Sequence, residues 1–356
     1  MKLLWITRGP NTHHTSLIDA LRNHYVDVEV CYFHGKYRSD RLSLGWKDPS
    51  LNKWEHFAKT FAEMKVAVPD YHERVVMVSG FSQWVEWRTM LLAVFWREKF
   101  FVMSEGSRGR WFMNPLVSVF TKLADKSALA IFALGPFAYK QFLAAGVKRS
   151  KLIRFCYATL SLKKEPGMLK KEDSCCTFVF AGEFCSRKGF DVLLTAWKWL
   201  HKDFVKTRLM IIGGCLKTSH KIGFETIEDY LAYDGVEYLG AVPQEEVYSV
   251  IKRGDVIVLP SRYDPWGAAL VEGANAGLAM IGSDNVGAAV ELINEGINGY
   301  IVRAGDAESL YSRMKIYASN PVMAREHGRN AQLAARTTDG DYLARKMIDV
   351  LNSNLR

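Results

Sequence analysis

The chain has 356 residues, 49% of them hydrophobic and 24% charged, which are globular values and exclude a disordered, collagenous or coiled-coil chain. At roughly 150 residues per domain this length predicts two domains, each with enough core to fold without a disulfide or metal. The formal net charge of +9 is uneven: residues 1–150 hold 21 Lys+Arg against 13 Asp+Glu, whereas residues 151–356 hold 26 against 25, so the front half calls for an anionic partner, membrane surface or substrate.

The N-terminal run Met1–Ile6 is too short for a secretory signal and is soon interrupted by Arg8; it reads as a first buried strand, Leu3–Thr7. A polar turn, Arg8–Thr15, leads into a helix over Ser16–His24. Strands are then predicted at Val26–Phe33, Val75–Ser79, Phe100–Met103, Ala128–Ala133 and Leu152–Cys156, with a helix at Phe137–Ala145. The second series places strands at Thr177–Ala181, Arg208–Ile212, Val236–Leu239, Val256–Leu259, Ala279–Gly282 and Gly299–Val302. Helices alternate with them at Asp191–His201, Glu245–Arg253 and Ala307–Tyr317. These strands are continuously apolar rather than alternating, as strands buried on both faces are. Strand–helix alternation in two series predicts an α/β chain of two Rossmann-like, doubly wound domains, with ligands at the carboxyl ends of the strands and a cleft between the domains. The polar stretch ending at Ser174, with its Pro166-Gly167, separates the two series as a linker.

Cys31, Cys156, Cys175, Cys176, Cys185 and Cys215 show no CxxC pair, which fits a reducing compartment. The longest apolar stretch, Met90–Trp96, is far below the ~20 residues that span a bilayer. The expected location is cytoplasmic, or peripheral on the inner face of a membrane.

Three segments carry chemistry. In Val256–Gly277 a buried strand ends at Pro260, and a helix is expected to begin near Pro265, with Gly267 baring the backbone at its start. Such a helix start suits a phosphate or a hydroxyl-rich anion. Asp264 and Glu272, eight residues apart, can both face the strand end and grip neighbouring sugar hydroxyls. Asp264-Pro265 is equally an N-cap followed by proline at the first helical position. Glu272 is a lone carboxylate in an Ala/Gly/Leu/Val helix, where burial of an unpaired charge is costly. In Phe178–Leu194 a strand runs into a turn bearing Arg187 and Lys188, a fork and a point charge that can neutralise a diphosphate; a solvated basic turn is the plainer reading. In Leu209–Cys215 a strand ends in Gly213-Gly214, which allows a ligand close to the backbone but is also an ordinary turn.

Taken in order, these segments resemble the retaining glycosyltransferases of family four, the group 1 glycosyl transferases of GT-B architecture. Phe180-Ala181-Gly182 to Arg187-Lys188-Gly189 is similar to that family's first donor-phosphate loop, and Ile211–Gly214 to its glycine-ended strand. Leu239-Gly240 to Val242 resembles its base-contacting loop, and Leu259-Pro260-Ser261 through Glu272 its paired-acid signature. Ser283–Ile293 with Asn298-Gly299-Tyr300 is similar to its closing segment. The resemblance covers residues 128–320; the front half matches only in general plan.

The resemblance implies roles. Arg187, Lys188, Asp264 and Glu272 would be catalytic, the two cations binding the diphosphate, Asp264 the transferred sugar and Glu272 the nucleotide ribose. Gly182, Gly213, Gly214, Val242 and Gly267 to Leu270, through the amides of Ala268 and Ala269 among others, would line the donor. No metal or other cofactor is implied, and the Asp339-Gly340-Asp341 motif lies too far downstream to serve one; it reads as a helix cap. Two departures stand out: the first acid is usually Glu and is Asp264 here, and the phosphate loop often has Arg where this chain has Glu183. Domains follow as 1–158 for the acceptor, 159–174 as linker, 175–335 for the nucleotide-sugar donor, and 336–356 as a C-terminal helix packing back on the first domain.

Gly9, His13, His14 and Glu105 are the acceptor-side candidates, because they follow predicted strands; histidines at the surface of a polar turn are the plainer reading of the first loop. Trp84, Trp87, Trp96, Phe100, Phe101, Trp111 and Phe112 mix with Arg88, Arg97, Lys99, Arg108, Arg110, Lys122 and Lys126. Such basic-aromatic surfaces suit an anionic bilayer, or nucleic acid, while core aromatics with a solvated basic rim are the third reading. The expected partners are a nucleotide sugar such as a UDP-sugar and an anionic or lipid-linked glycan, of lipopolysaccharide or capsule type. Two other functions remain open: transfer to modified bases of phage DNA, and a non-catalytic sugar-nucleotide-binding module.

Overall fold

The computed structural model describes residues 1–10, 12–33, 51–80, 88–91, 98–106, 115–159, 175–214, 221–222 and 225–355, and the structural statements below concern these. They divide into two compact units. The first takes the described residues within 1–161 and those of 338–356; the second takes those within 162–337.

In the first unit, β1 (Lys2–Thr7), β2 (Asp27–Tyr32), β3 (Glu55–Phe57), β4 (Val75–Ser79), β5 (Phe100–Ser104), β6 (Ile131–Leu134) and β7 (Leu152–Phe155) form a seven-stranded sheet in the order β3-β2-β1-β4-β5-β6-β7. Every pairing in it is parallel. Both faces are apolar. Leu4, Ile6, Val76, Val78, Phe100 and Val102 face one core cluster, and Leu3, Trp5, Val28, Met77, Phe101 and Phe132 the other. This period-two sorting, hidden in the sequence because both faces are buried, is what a covered parallel sheet requires.

The chain returns to this unit at its end. Leu343, Ala344, Met347 and Leu351 of the helix Gly340–Leu355 recur at helical spacing and bury against Leu17, Leu21 and the sheet. Asp339 Oδ1 accepts from the Asp341 and Tyr342 amides at 2.9 and 3.4 Å, so the first carboxylate of Asp339-Gly340-Asp341 caps this helix. Asp341 pairs with His24 and Arg345, and the hydrogen bonds from these two side chains lower its pKa. Thr159 is tied to the same point, its amide donating to Thr338 O at 3.0 Å.

In the second unit, β8 (Thr177–Gly182), β9 (Arg208–Gly213), β12 (Val236–Gly240), β13 (Val256–Leu259), β14 (Ala279–Ser283) and β15 (Gly299–Val302) form an all-parallel sheet in the order β12-β9-β8-β13-β14-β15. A small hairpin, β10 (Lys221–Ile222) with β11 (Glu225–Thr226), lies outside it. In both sheets the strand order reverses beside the first strand, between β1 and β4 and between β8 and β13. Such reversals are where doubly wound sheets bind ligands.

Several expectations need correction. The β3 edge strand has no apolar run to announce it; Glu55 and His56 face polar partners, Tyr32 and Glu29. The sixth strand starts at Ile131 rather than Ala128; the helix Pro115–Ser127 ends just before, and residues 128–130 connect the two. The first helix begins at Thr12, four residues early, and absorbs half of the predicted turn. Of the basic-aromatic residues, Trp84, Trp87, Trp96, Arg97, Arg108, Arg110, Trp111 and Phe112 lie outside the described residues, as do Cys215 and 160–174 of the linker. Phe100 and Phe101 are core residues of β5. The other five cysteines form no disulfide among the described residues, and burial pushes the Cys31 thiol up to about 12.

Candidate functional site

The carboxyl end of β8 runs through Gly182 and Glu183 into a single tight turn, Ser186–Lys188. Gly189 ends the turn at φ 69°, and a Cβ there would lie 2.0 Å from Pro260 O, so only glycine lets the turn press against the end of β13. Three consecutive carbonyls of this turn meet the loop after β13. Arg262 Nη1 donates to Ser186 O at 2.8 Å, the Arg262 amide to Arg187 O at 2.9 Å, and Ser261 Oγ to Lys188 O at 3.5 Å.

Backbone packing of this kind brings the expected charges together. Lys188 Nζ lies 2.6 Å from Asp264 Oδ2, and Arg187 Nη1 lies 4.0 Å from the same oxygen. Asp264 is buried, its side chain 11% exposed; the Lys188 side chain is 16% exposed and that of Arg187 32%. Arg187 also reaches Glu183 Oε2 with Nη2 at 3.3 Å. Both cations therefore already hold carboxylate partners, and Glu183 occupies one side of the Arg187 fork.

Asp264 does not cap a helix beginning at Pro265. Its Oδ1 accepts from the Trp266 amide at 3.3 Å, but the helix starts only at Ala268, with Gly267 as N-cap at φ 90°. A Cβ on Gly267 would meet Val286 Cγ1 at 2.5 Å, so the positive φ and the close packing both demand glycine and delay the helix by three residues. Backbone bonds fix the loop further: the Asp264 amide donates to Asn285 O, and its carbonyl accepts from Gly287.

At the start of the helix Ala268–Asn275, the Leu270 amide is taken by Gly267 O at 3.0 Å and the Leu270 side chain is in the core. This corrects the expectation that Leu270 offers an amide to a ligand. Among the described residues nothing accepts from the amides of Ala268 and Ala269, which are half-buried at the strand end; these are the groups left to meet an anion. Glu272 follows one turn later. Burial raises its pKa, and the nearby Lys188 charge opposes that shift.

The glycine pair after β9 is occupied differently from a bare turn. Gly213 and Gly214 have φ of 104° and 144°, and a Cβ on Gly213 would meet Gly182 O at 2.4 Å. Tyr238 of β12 lies over the pair and donates its hydroxyl to Gly213 O at 3.2 Å. Burial raises the pKa of that phenol. Val242 is half-buried in the loop beyond β12.

In the first unit, His14 is buried rather than at the surface of a turn. It sits in the first turn of the helix Thr12–Asn23 and shares a 3.3 Å hydrogen bond from Nε2 with Ser79 Oγ, at the strand end of β4. Gly9 is half-buried just after β1. Glu105, exposed after β5, accepts from the Tyr157 hydroxyl at 2.9 Å, and the Tyr157 ring stacks 6.3 Å from that of His14. His13 lies in the helix backbone, and its side chain is outside the described residues. Ser79 and Tyr157 carried no motif, so only the sheet order could bring them to the candidates.

Comparisons with known proteins bear on the fold and on the second unit. Residues 164–334 match the family model described as Glycosyl transferases group 1. A stretch of 201 residues, 54% of this chain, is 29% identical to a 41.2 kDa protein in the cps region of Klebsiella pneumoniae and spans 53% of its length. Another of 98 residues, 28% of this chain, is 35% identical to the lipopolysaccharide core biosynthesis mannosyltransferase LpcC of Rhizobium leguminosarum bv. viciae and spans 27% of it. The matched regions thus cover about half or less of these relatives. The crystal structure of Anabaena Alr3699/HepE in complex with UDP superposes with a TM-score of 0.76, covering 99% of this chain and 100% of that one at 14% identity. The chain therefore has the GT-B fold of two Rossmann-like domains, and within it residues 164–334 are similar to the Glycosyl transferases group 1 family.

Proposed function

We propose that the chain is a retaining glycosyltransferase, working without a metal, that moves a hexosyl-type sugar from a nucleotide-sugar donor to a lipid-linked or cell-surface polysaccharide acceptor. The observation that carries this reading is the grouping of Lys188, Arg187 and Asp264 beside the free amides of Ala268 and Ala269, with Glu272 one turn away. The UDP in the Anabaena neighbour supports a uridine donor, and the Rhizobium and Klebsiella relatives support an acceptor of lipopolysaccharide or capsule type.

In this reading the bond from the anomeric carbon to the diphosphate oxygen breaks, an acceptor hydroxyl oxygen replaces it, and the hydroxyl proton passes to the leaving diphosphate. The charge gathering on the leaving diphosphate falls on Arg187, Lys188 and the two amides, groups already held in place before the reaction. Lys188 exchanges its Asp264 partner for phosphate as the donor enters. Asp264 is thereby freed for the sugar hydroxyls, one methylene further back than a glutamate would be. Glu272 takes two ribose hydroxyls; burial raises its pKa, and the Lys188 charge opposes that rise. His14, Gly9 and Glu105 face the acceptor, and the basic first half draws the protein to an anionic membrane on its cytoplasmic side.

A panel of UDP-, GDP- and ADP-sugars, read by hydrolysis and by thermal shift, tests the proposal. One donor is expected to stabilise the chain and to turn over; stabilisation without turnover by any sugar nucleotide would favour the non-catalytic module. The Glu183–Arg187 pair gives that second reading its support, because it removes part of the positive charge that a leaving group needs.

A further inference from the structure

The basic turn owes its shape to a residue outside the motif that bears the cations. Arg262, in the loop after β13, makes a planar two-armed grip on Asp191, Nη1 to Oδ1 at 2.7 Å and Nη2 to Oδ2 at 2.6 Å. Asp191 stands in the first turn of the helix that follows the basic turn. The same Nη1 donates to Ser186 O, the Arg262 amide donates to Arg187 O, and the Tyr263 amide lies 3.4 Å from that oxygen. On its other side Arg262 O accepts from Asn285 Nδ2 at 3.1 Å. Arg262 thus joins the loop after β13, the turn after β8, the following helix and the loop after β14. Its own guanidinium is spent on these partners and is not a free cation.

Carbonyl oxygens turned toward a diphosphate would repel it, whereas amides and cations attract it. Ser186 O, Arg187 O and Lys188 O all face donors of the Ser261–Tyr263 loop, so the turn is locked with its lone pairs committed away from an anion. A fork is needed for this, because the two Asp191 contacts and the Ser186 contact require donors in one plane, which lysine lacks.

We infer that Arg262 is a positioning residue of the donor site: its grip on Asp191 and Ser186 O sets the turn so that Arg187 and Lys188 meet the donor diphosphate. The inference rests on the donor-site reading above. Arg262 touches no reacting atom and works through the two cations.

The test measures UDP affinity by calorimetry and the melting temperature on the full chain. The variants are Arg262→Met, Arg262→Lys, Asp191→Asn, Lys188→Met and the double variant R262M/K188M. Arg262→Met and Asp191→Asn are expected to weaken UDP binding about tenfold or more, since small displacements of a positioned charge are costly. Arg262→Lys is expected to recover only part of this. In the Lys188→Met background the Arg262→Met substitution is expected to cost clearly less UDP affinity than it does in the unaltered chain, because the part of its effect that runs through Lys188 is gone and only the part through Arg187 remains. A lowered melting temperature with UDP affinity intact, or an equal loss of affinity with and without Lys188, would overturn the inference and leave Arg262 a structural residue. Should Arg262→Met fail to fold, Asp191→Asn carries the same comparison. Absence of UDP, GDP and ADP binding by the unaltered chain would instead reject the donor-site reading itself, and the inference with it.

Discussion

The reversal of strand order in each sheet brings two polar groups together, and the two pairs are of different kinds. At β8 and β13 the pair is Lys188 with Asp264, a part-buried ion pair with Arg187 4.0 Å from the same carboxylate oxygen. At β1 and β4 it is His14 with Ser79, a hydrogen-bonded pair flanked by the rings of Trp5 and Tyr157. The same topology therefore builds an electrostatic site in one unit and a hydrogen-bonding site in the other. A leaving diphosphate needs the first kind, and a hydroxylated acceptor is suited by the second.

Four experiments would break or sharpen this contrast. Lys188→Met is expected to lower the transfer rate about 10²-fold or more, the scale of losing one preorganised stabiliser of developing charge; a rate close to that of the unaltered chain would end the assignment of the second unit. Glu105→Gln, in the first unit, is expected to raise the acceptor KM about tenfold, as loss of a charged hydrogen-bonding group does, while UDP affinity stays unchanged. A fall in UDP affinity instead would erase the division of labour between the two pairs. Glu183→Gln frees one arm of Arg187, and UDP binding is expected to tighten by about two- to fivefold, the scale of an exposed ion pair; weaker binding would show that Glu183 contacts the ligand directly.

The last and smallest contrast is in acid. Burial lowers the pKa of His327, whose Nδ1 shares a 2.9 Å hydrogen bond with the Tyr317 hydroxyl. The folded second unit therefore binds fewer protons than its unfolded chain just below the usual imidazole value of about 6.5, and its stability falls as pH drops through that region. In the first unit, Arg74 and Lys2 hold the Asp70 carboxyl at about 2. Its contribution is complete above the usual carboxylate value of about 3.9 and is lost only as pH falls from there toward the folded value. Thermal melts across this range are expected to show the second unit weakening first, and His327→Gln is expected to flatten that slope. A first unit that melts earlier on acidification would contradict this order.

Much of the fold was legible because both sheets are buried on both faces. Continuous runs such as Val256–Leu259 and Ala279–Gly282 have no other stable use, and their alternation with amphipathic segments implies parallel sheets. The β3 edge strand was not legible, since an edge can be polar and still pair. Asp264 was recognised as a candidate, but its local reading as an N-cap failed: the conformation of Gly267, fixed by Val286 and Leu259 from elsewhere in the chain, decides where the helix begins.

The sequence alone determined which charges could matter, because Arg187, Lys188, Asp264 and Glu272 stand in short segments whose strand-to-helix passage fixes their place at a strand end. It also determined that the chain has two parallel sheets, through hydrophobic runs that act over a few residues. Only the tertiary structure decided which of these charges are already paired, that the Leu270 amide is closed while those of Ala268 and Ala269 are open, and that Arg262 reaches across 71 positions to Asp191. Those facts depend on strand order, and strand order is set by packing between segments far apart in the chain, a condition that no local pattern encodes.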